Sequence, residues 1–231
     1  MFYVISLVLG AVVALIFCIK RAKGFSVSNL LWKIAASLCF ILTGVAALIT
    51  HPENVFYGAM ILFGGTLGMC GDITLDLKGI YPQNEKPFMY SGFIFFLIGH
   101  LFYQAGILYT ARLSTVTMLI CVAVCIVFGV LNLLSEKLMK LHYGEYKWIV
   151  FLYSIVLALT VAFSVAAMIA SGFNKAYIVL TVGGVLFMLS DLILSGTYFG
   201  EGKDKPVHYF TNHFAYYASQ FVIMASILCI A

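Results

Sequence analysis

Residues 175–199 read KAYIVLTVGGVLFMLSDLILSGTYF, a run with one lysine at its start and a single acid, Asp191, in its last third. A bilayer core about 30 Å thick takes roughly 20 apolar residues of helix at about 1.5 Å per residue. The run therefore predicts a transmembrane helix that carries a carboxyl group. Seven further stretches meet that length, at residues 2–19, 30–49, 55–77, 88–109, 114–134, 147–169 and 209–230, and short loops with breakers such as His51-Pro52, Tyr81-Pro82, Lys86-Pro87 and Lys205-Pro206 join them. Of the 231 residues, 63% are apolar and 10% charged, against about 45–50% and about 25% in a soluble domain. With 4 Pro against 20 Phe and 14 Tyr, the chain is neither disordered nor collagen-like. The expected fold class is an all-α polytopic membrane protein of eight transmembrane helices, in a single transmembrane domain over residues 1–231.

Charge orients the spans. Lys20, Arg21, Lys23 and Lys33 fall in the first loop, Lys78 and Lys86 in the third, Lys137, Lys140 and Lys147 in the fifth, and Lys203 and Lys205 in the seventh, leaving only Arg112 and Lys175 of the 13 basic residues for even-numbered loops. By the positive-inside rule the odd loops face the cytoplasm and both termini lie on the non-cytoplasmic side. The first span, with no charge before it and no cleavage site after it, reads as a retained span and not a signal peptide. The net charge of +4 is a topology signal; no basic stripe with interleaved aromatics suggests a nucleic-acid partner, and no obligate protein partner is implied. The six cysteines all fall in apolar stretches without a CxxC pair and read as reduced packing residues.

Residues 64–75, GGTLGMCGDITL, and 183–194, GGVLFMLSDLIL, share the pattern GGxLxMxxDxxL at a separation of 119. That offset spans four helices, so the copies have the same orientation and predict two parallel four-helix halves, about 1–112 and 113–231. Asp72 and Asp191 then lie at matching depth in the cytoplasmic half of the membrane, where an acid is costly unless it faces a partner or a cavity. Asp76, one turn beyond Asp72, is expected at the headgroup boundary with Ser195 as its counterpart. Asn212, Tyr216 and Gln220 recur every fourth residue along the eighth span, with His213 and Tyr217 on the adjoining stripe, and the fourth span carries His100, Tyr103 and Gln104. Together they predict a polar cavity open to the cytoplasmic leaflet.

The inventory narrows the chemistry. With Lys33 counted in the first loop and Lys147 and Lys175 at the starts of their spans, no lysine is expected in a span's interior, which excludes a retinal-type Schiff base, and neither a GxSxG elbow nor an HExxH helix is present. His208 and His213 are five apart and cannot share a metal on one helix face, so no metal or other cofactor is expected. Two carboxyl groups in a low-dielectric pocket suit general acid catalysis, one holding a proton and the other its charge. Bonds that break through an oxocarbenium ion use such a pair. In a cavity open to lipid the matching substrate is a lipid ether. A transporter for lipids or for proton-coupled small molecules also accounts for parallel repeats and buried acids.

The runs GDITL at 71–75, HLFY at 100–103, GGVLFMLSDLIL at 183–194 and YYASQFVI at 216–223 resemble the YhhN family of membrane proteins, which includes the lysoplasmalogenases. The likeness covers essentially the whole chain in length, span count and order of motifs. It implies an eight-span helical fold and hydrolysis of the vinyl ether of lysoplasmalogens, to a fatty aldehyde and glycerophosphoethanolamine or glycerophosphocholine. It also implies Asp72 and Asp191 as the catalytic pair, with His100, Tyr103, Tyr217 and Gln220 around them; the polar stripes of the fourth and eighth spans add Gln104, Asn212 and Tyr216 to the residues expected around the substrate, a lysophospholipid drawn from the membrane lipids. The sequence leaves open which acid gives the proton, Asp191, beside Ser190, being the first choice and Asp72 the alternative. The phosphate would meet Lys78, Lys86, Lys203 or Lys205, and an ammonium headgroup the rings of Tyr216 and Tyr217. Ser219 in YYASQ stands where the family more usually has alanine. For a bacterial protein the cell membrane is the expected location.

Overall fold

The computed structural model describes residues 2–202 and 204–230. Eight helices run in sequence: α1 (Phe2–Arg21), α2 (Val27–Thr50), α3 (Val55–Ile80), α4 (Glu85–Ala111), α5 (Thr115–Leu138), α6 (Lys147–Ala170), α7 (Lys175–Phe199) and α8 (Pro206–Ala225). The described residues form no named strand; one isolated bridge joins Leu141 to Gly200.

Local chemistry sets the helix starts. The side chains of Ser26, Asn54, Ser114 and Asn174 accept from the backbone N–H of Asn29, Tyr57, Thr117 and Ala176, capping α2, α3, α5 and α7. Pro52 and Pro82 open single 3-10 turns ahead of α3 and α4. Pro87, expected as a breaker, lies instead inside the first turn of α4. Its missing N–H falls among donors that a helix start leaves free in any case.

Among the described residues seven helices are long and apolar enough to cross a bilayer. The expectation of eight apolar stretches holds for all but α8, whose 20 residues include Asn212, His213, Tyr216, Tyr217 and Gln220. All five are buried, because α8 packs on α7, α2 and α1 and spends its polar side chains inside the bundle. At the other extreme is α5, with only Cys121, Cys125 and Gly129 buried. It packs against α6 and turns the rest of its apolar surface outward, as suits a helix whose neighbour is lipid.

Close packing is built on small residues. A Cβ added to Gly64 on α3 would lie 2.8 Å from the Gly99 carbonyl oxygen on α4, and one added to Gly99 would lie 2.9 Å from that of Gly64. With backbone facing backbone, only glycine fits both positions. This contact fixes α4 against α3 and sets Phe96, His100 and Tyr103 facing inward. All six cysteines are unpaired thiols.

A candidate acid-pair site

The ends of α1, α3, α5 and α7 meet the beginnings of α2, α4, α6 and α8 at one end of the bundle, since the chain alternates direction through short loops. Asp72 and Asp191 line one cavity of about 40 Å³ there, with Lys33, Tyr153, Asn212 and Tyr216 also in its wall. The space suits a few waters. The two carboxyl groups are set differently. Asp72 is buried, accepts from Ser37 Oγ at 3.0 Å and lies 3.3 Å from Lys33 Nζ. Asp191 accepts from the Tyr153 hydroxyl and, at 3.4 Å, from Ser190 Oγ. Among the described residues no cation lies within ion-pair distance of Asp191.

Lys33 corrects two expectations. It belongs to no loop: it sits in the second turn of α2 with 2% of its surface exposed, so a lysine does lie within a span. A Schiff-base lysine is thus not excluded by position, but this ammonium is held by two carboxylates, Asp72 and Asp76, the latter at 3.1 Å. Asp76 in turn is enclosed by the protein, at 2% exposure, with Arg21 Nε 3.5 Å away. Arg21, expected as a loop charge, is 1% exposed and lies against the rings of Phe25 and Tyr209. Charges this deep persist only when paired, and the pairing follows from one spacing: Asp72 and Asp76 stand one helical turn apart, within reach of one lysine.

The other expected residues divide into three sets. Asn212 and Tyr216 line the cavity, and Asn212 Nδ2 donates to the Ser190 carbonyl at 2.7 Å, tying α8 to α7 beside Asp191. Tyr103 donates to Gln220 Oε1 at 3.2 Å, and Gln220 Nε2 donates to Tyr216 Oη at 3.2 Å, a chain of hydrogen bonds that ends in the cavity wall. Tyr217 donates to the Lys33 carbonyl at 3.1 Å and lies 3.2 Å from Ser37 Oγ, behind the Asp72 carboxylate. His100 and Gln104 stand apart from the cavity. Both reach Thr160, at 3.1 and 3.2 Å, and Gln104 also donates to the Val156 carbonyl, so they join α4 to α6. Ser219, the departure from the family pattern, donates to the Gly183 carbonyl at 2.8 Å.

The sequence alone does not mark Lys33, Ser37 or Tyr153 for this site. The signal available for Lys33 was its spacing from Ser26, a good helix cap, which already places it inside a helix. Ser37 and Tyr153 carry no such mark, being single polar residues in apolar spans.

A second, apolar cavity of about 430 Å³ adjoins the first between α5, α6 and α7. Phe93, Tyr153, Asp191, Leu194 and Tyr198 line both. Its outer wall includes Phe128, Leu131 and Leu192, whose side chains are exposed on the apolar surface of the bundle. Asp191 therefore stands where the small cavity that holds both acids meets a groove with a hydrocarbon lining. Of the lysines expected near a phosphate, Lys78 lies over the Tyr198 ring, Lys86 pairs with Glu145, Lys205 is exposed at the start of α8, and Lys203 lies outside the described residues. Among the described residues no three His, Cys, Asp or Glu side chains converge in a way that would hold a metal.

No curated protein and no solved structure matches the chain. The YhhN family model does, over residues 28–227, a span that runs from the first turn of α2 past the end of α8 and takes in both aspartates with every residue around them. An all-helical integral membrane protein with its polar residues gathered between the spans, this chain belongs to the YhhN family.

Proposed function

We propose that the protein is a membrane-embedded ether hydrolase that cleaves the vinyl ether of lysoplasmalogens by acid catalysis. The observation that carries this reading is that Asp72 and Asp191 share one small cavity, which adjoins an apolar groove. A lipid with a single chain fits that combination: hydrocarbon in the groove, the reactive bond at Asp191, and water beside the two acids. Family membership supports it, since YhhN is a lysoplasmalogenase-like family.

The environments divide the roles. Lys33 compensates an ionised Asp72, whereas a charge on Asp191 would face only hydroxyl donors, so Asp191 carries the proton. It gives that proton to the vinyl carbon distant from the ether oxygen, and the adjoining carbon and oxygen become an oxocarbenium ion that the Asp72 carboxylate stabilises. Water adds to the cation and returns a proton to Asp191. The resulting hemiacetal breaks its bond to the glycerol oxygen, releasing fatty aldehyde and the glycerophospho-alcohol. Asn212 and Tyr216 orient the polar part of the substrate, with Tyr103, Gln220 and Tyr217 holding them and Asp72 in place; His100 and Gln104 act through the α4–α6 packing.

We read the halves 1–112 and 113–231 as parallel repeats with both termini on the non-cytoplasmic side. Two correspondences support the repeat. Each motif aspartate accepts a hydroxyl from the preceding helix, Ser37 on α2 or Tyr153 on α6. Each motif's first glycine packs on a backbone carbonyl of the following helix, that of Gly99 or of Ser219.

Purified protein incubated with a vinyl-ether lysophospholipid and with its acyl-ester counterpart is expected to release fatty aldehyde from the first only, read by mass spectrometry. Asp72→Asn and Asp191→Asn should each lower that release at least about a hundredfold. A fully active Asn variant would remove its residue from the mechanism. Movement of intact lipid without aldehyde would favour transport.

A further inference from the structure

Among the described residues only four buried side-chain nitrogen and oxygen atoms lack a hydrogen-bond partner, and two of them, Nε and Nη1, belong to Arg21. The guanidinium stands at the end of α1, 1% exposed, with Nε 3.5 Å from Asp76 but not hydrogen-bonded to it. Its Cζ lies 3.4 Å from the centre of the Phe25 ring and 4.7 Å from that of the Tyr209 ring. A guanidinium offers a fork of five donors matched to the oxygens of a carboxylate or phosphate. Here donors go unused in a place sealed from water.

A second cation stands nearby. Phe25 also packs on Gly79, where an added Cβ would strike its ring, and the residue before Gly79 is Lys78. Lys78 Nζ lies 3.2 Å from the centre of the Tyr198 ring, and among the described residues no carboxylate is within ion-pair distance of it, although the exposed Glu85 attracts it from further away. Tyr198 lines both cavities. Lys33 is already committed to Asp72 and Asp76. The end of the bundle thus places two cations with spare binding capacity beside the acid-pair cavity, one turn closer to the helix ends.

We propose that Arg21 and Lys78 form a phosphate-binding subsite, covered by the Phe25 ring, that holds the phosphodiester of a single-chain phospholipid. The assignment rests on the lipid-hydrolase reading for its choice of ligand. The register fits. Asp72 and Asp76 are one turn apart, about 5.4 Å along the helix, and five covalent bonds of the glycerol backbone separate the ether oxygen from phosphorus, a similar reach. A lipid whose ether meets the acid pair puts its phosphate level with Asp76, where Arg21 lies. Binding there exchanges the aromatic cover of the guanidinium for oxygens that satisfy its free donors.

The test is binding to the full-length protein in detergent, with three probes that the proposed chemistry cannot cleave: a 1-O-alkyl-glycerophosphocholine, the 1-O-alkylglycerol of the same chain length, and glycerophosphocholine without a chain. The wild type is expected to bind the phosphorylated lipid at least about tenfold more tightly than the alkylglycerol. That ratio should fall to near one in Arg21→Gln and severalfold in Lys78→Gln, which serves alone if Arg21→Gln does not fold. A ratio near one in the wild type, or one retained in the variants that fold, would overturn the subsite. Chainless glycerophosphocholine binding as tightly as the lipid would assign the site to soluble phosphate esters and overturn the lipid assignment. The probes contain no vinyl ether, so the preference is measured whether or not the hydrolase reading holds.

Discussion

Asp72 and Asp191 occupy the same place in two copies of one sequence pattern, and the molecule has built opposite surroundings for them. Around Asp72 it concentrates charge: Lys33 bridges Asp72 and Asp76, and Arg21 stands behind Asp76. Around Asp191 it supplies hydroxyls, from Tyr153 and Ser190, and opens one side to an apolar groove. The pattern fixes where a carboxyl sits along its helix, while the neighbouring helix decides its chemistry. On α2 the residues that face the acid are Lys33 and Ser37; on α6 the corresponding hydroxyl belongs to Tyr153, whose ring also forms part of both cavity walls.

If that contrast is right, the cation side should be the more fragile. Lys33→Met leaves Asp72 with no cation in a buried setting and is expected to cost about 3–5 kcal/mol, the range for breaking one partner of a buried pair, read as a large drop in the thermal unfolding midpoint in detergent. Combining Lys33→Met with Asp72→Asn should recover much of that loss while leaving the protein inactive. Asp191→Asn removes no ion pair, so its midpoint should stay within about 1 kcal/mol of wild type; a loss as large as that of Lys33→Met would show that Asp191 has a charged partner after all.

Tyr153→Phe probes the hydroxyl side. It deletes the donor to Asp191 but keeps the ring, and aldehyde release should fall about tenfold with little change in folding, in line with the loss of one hydrogen bond to a reacting group. An unchanged rate would make Tyr153 part of the cavity wall and nothing more. The smallest effect is expected in the groove. Leu131→Trp, at its outer wall, should raise KM severalfold for long-chain substrate and less for a short-chain one, since only the longer tail reaches the filled space. Equal effects on both chain lengths would place the tail elsewhere.

Much of this was legible in the sequence because hydropathy and helix length are local properties. Each of the eight helices lies within a few residues of its expected span, and cap residues such as Ser114 and Asn174 mark the starts. The shared pattern around Asp72 and Asp191 singled out both acids, and the fourfold spacing of Asn212, Tyr216 and Gln220 singled out the buried face of α8. The errors share a cause. Lys33 and Arg21 read as loop charges in the sequence because a charge near the end of an apolar run has two physical solutions: reach for water, or pair inside.

By itself, then, the sequence determined eight helices, their order and the two acids placed within them. Only the tertiary structure decided that α2 turns Lys33 toward Asp72, that α6 offers Tyr153 to Asp191, and that the two carboxyl groups share a cavity beside a hydrocarbon-lined groove. The reason is that rotation and tilt of a membrane helix are set by packing at contacts such as Gly64 on Gly99, and hydropathy is nearly blind to both.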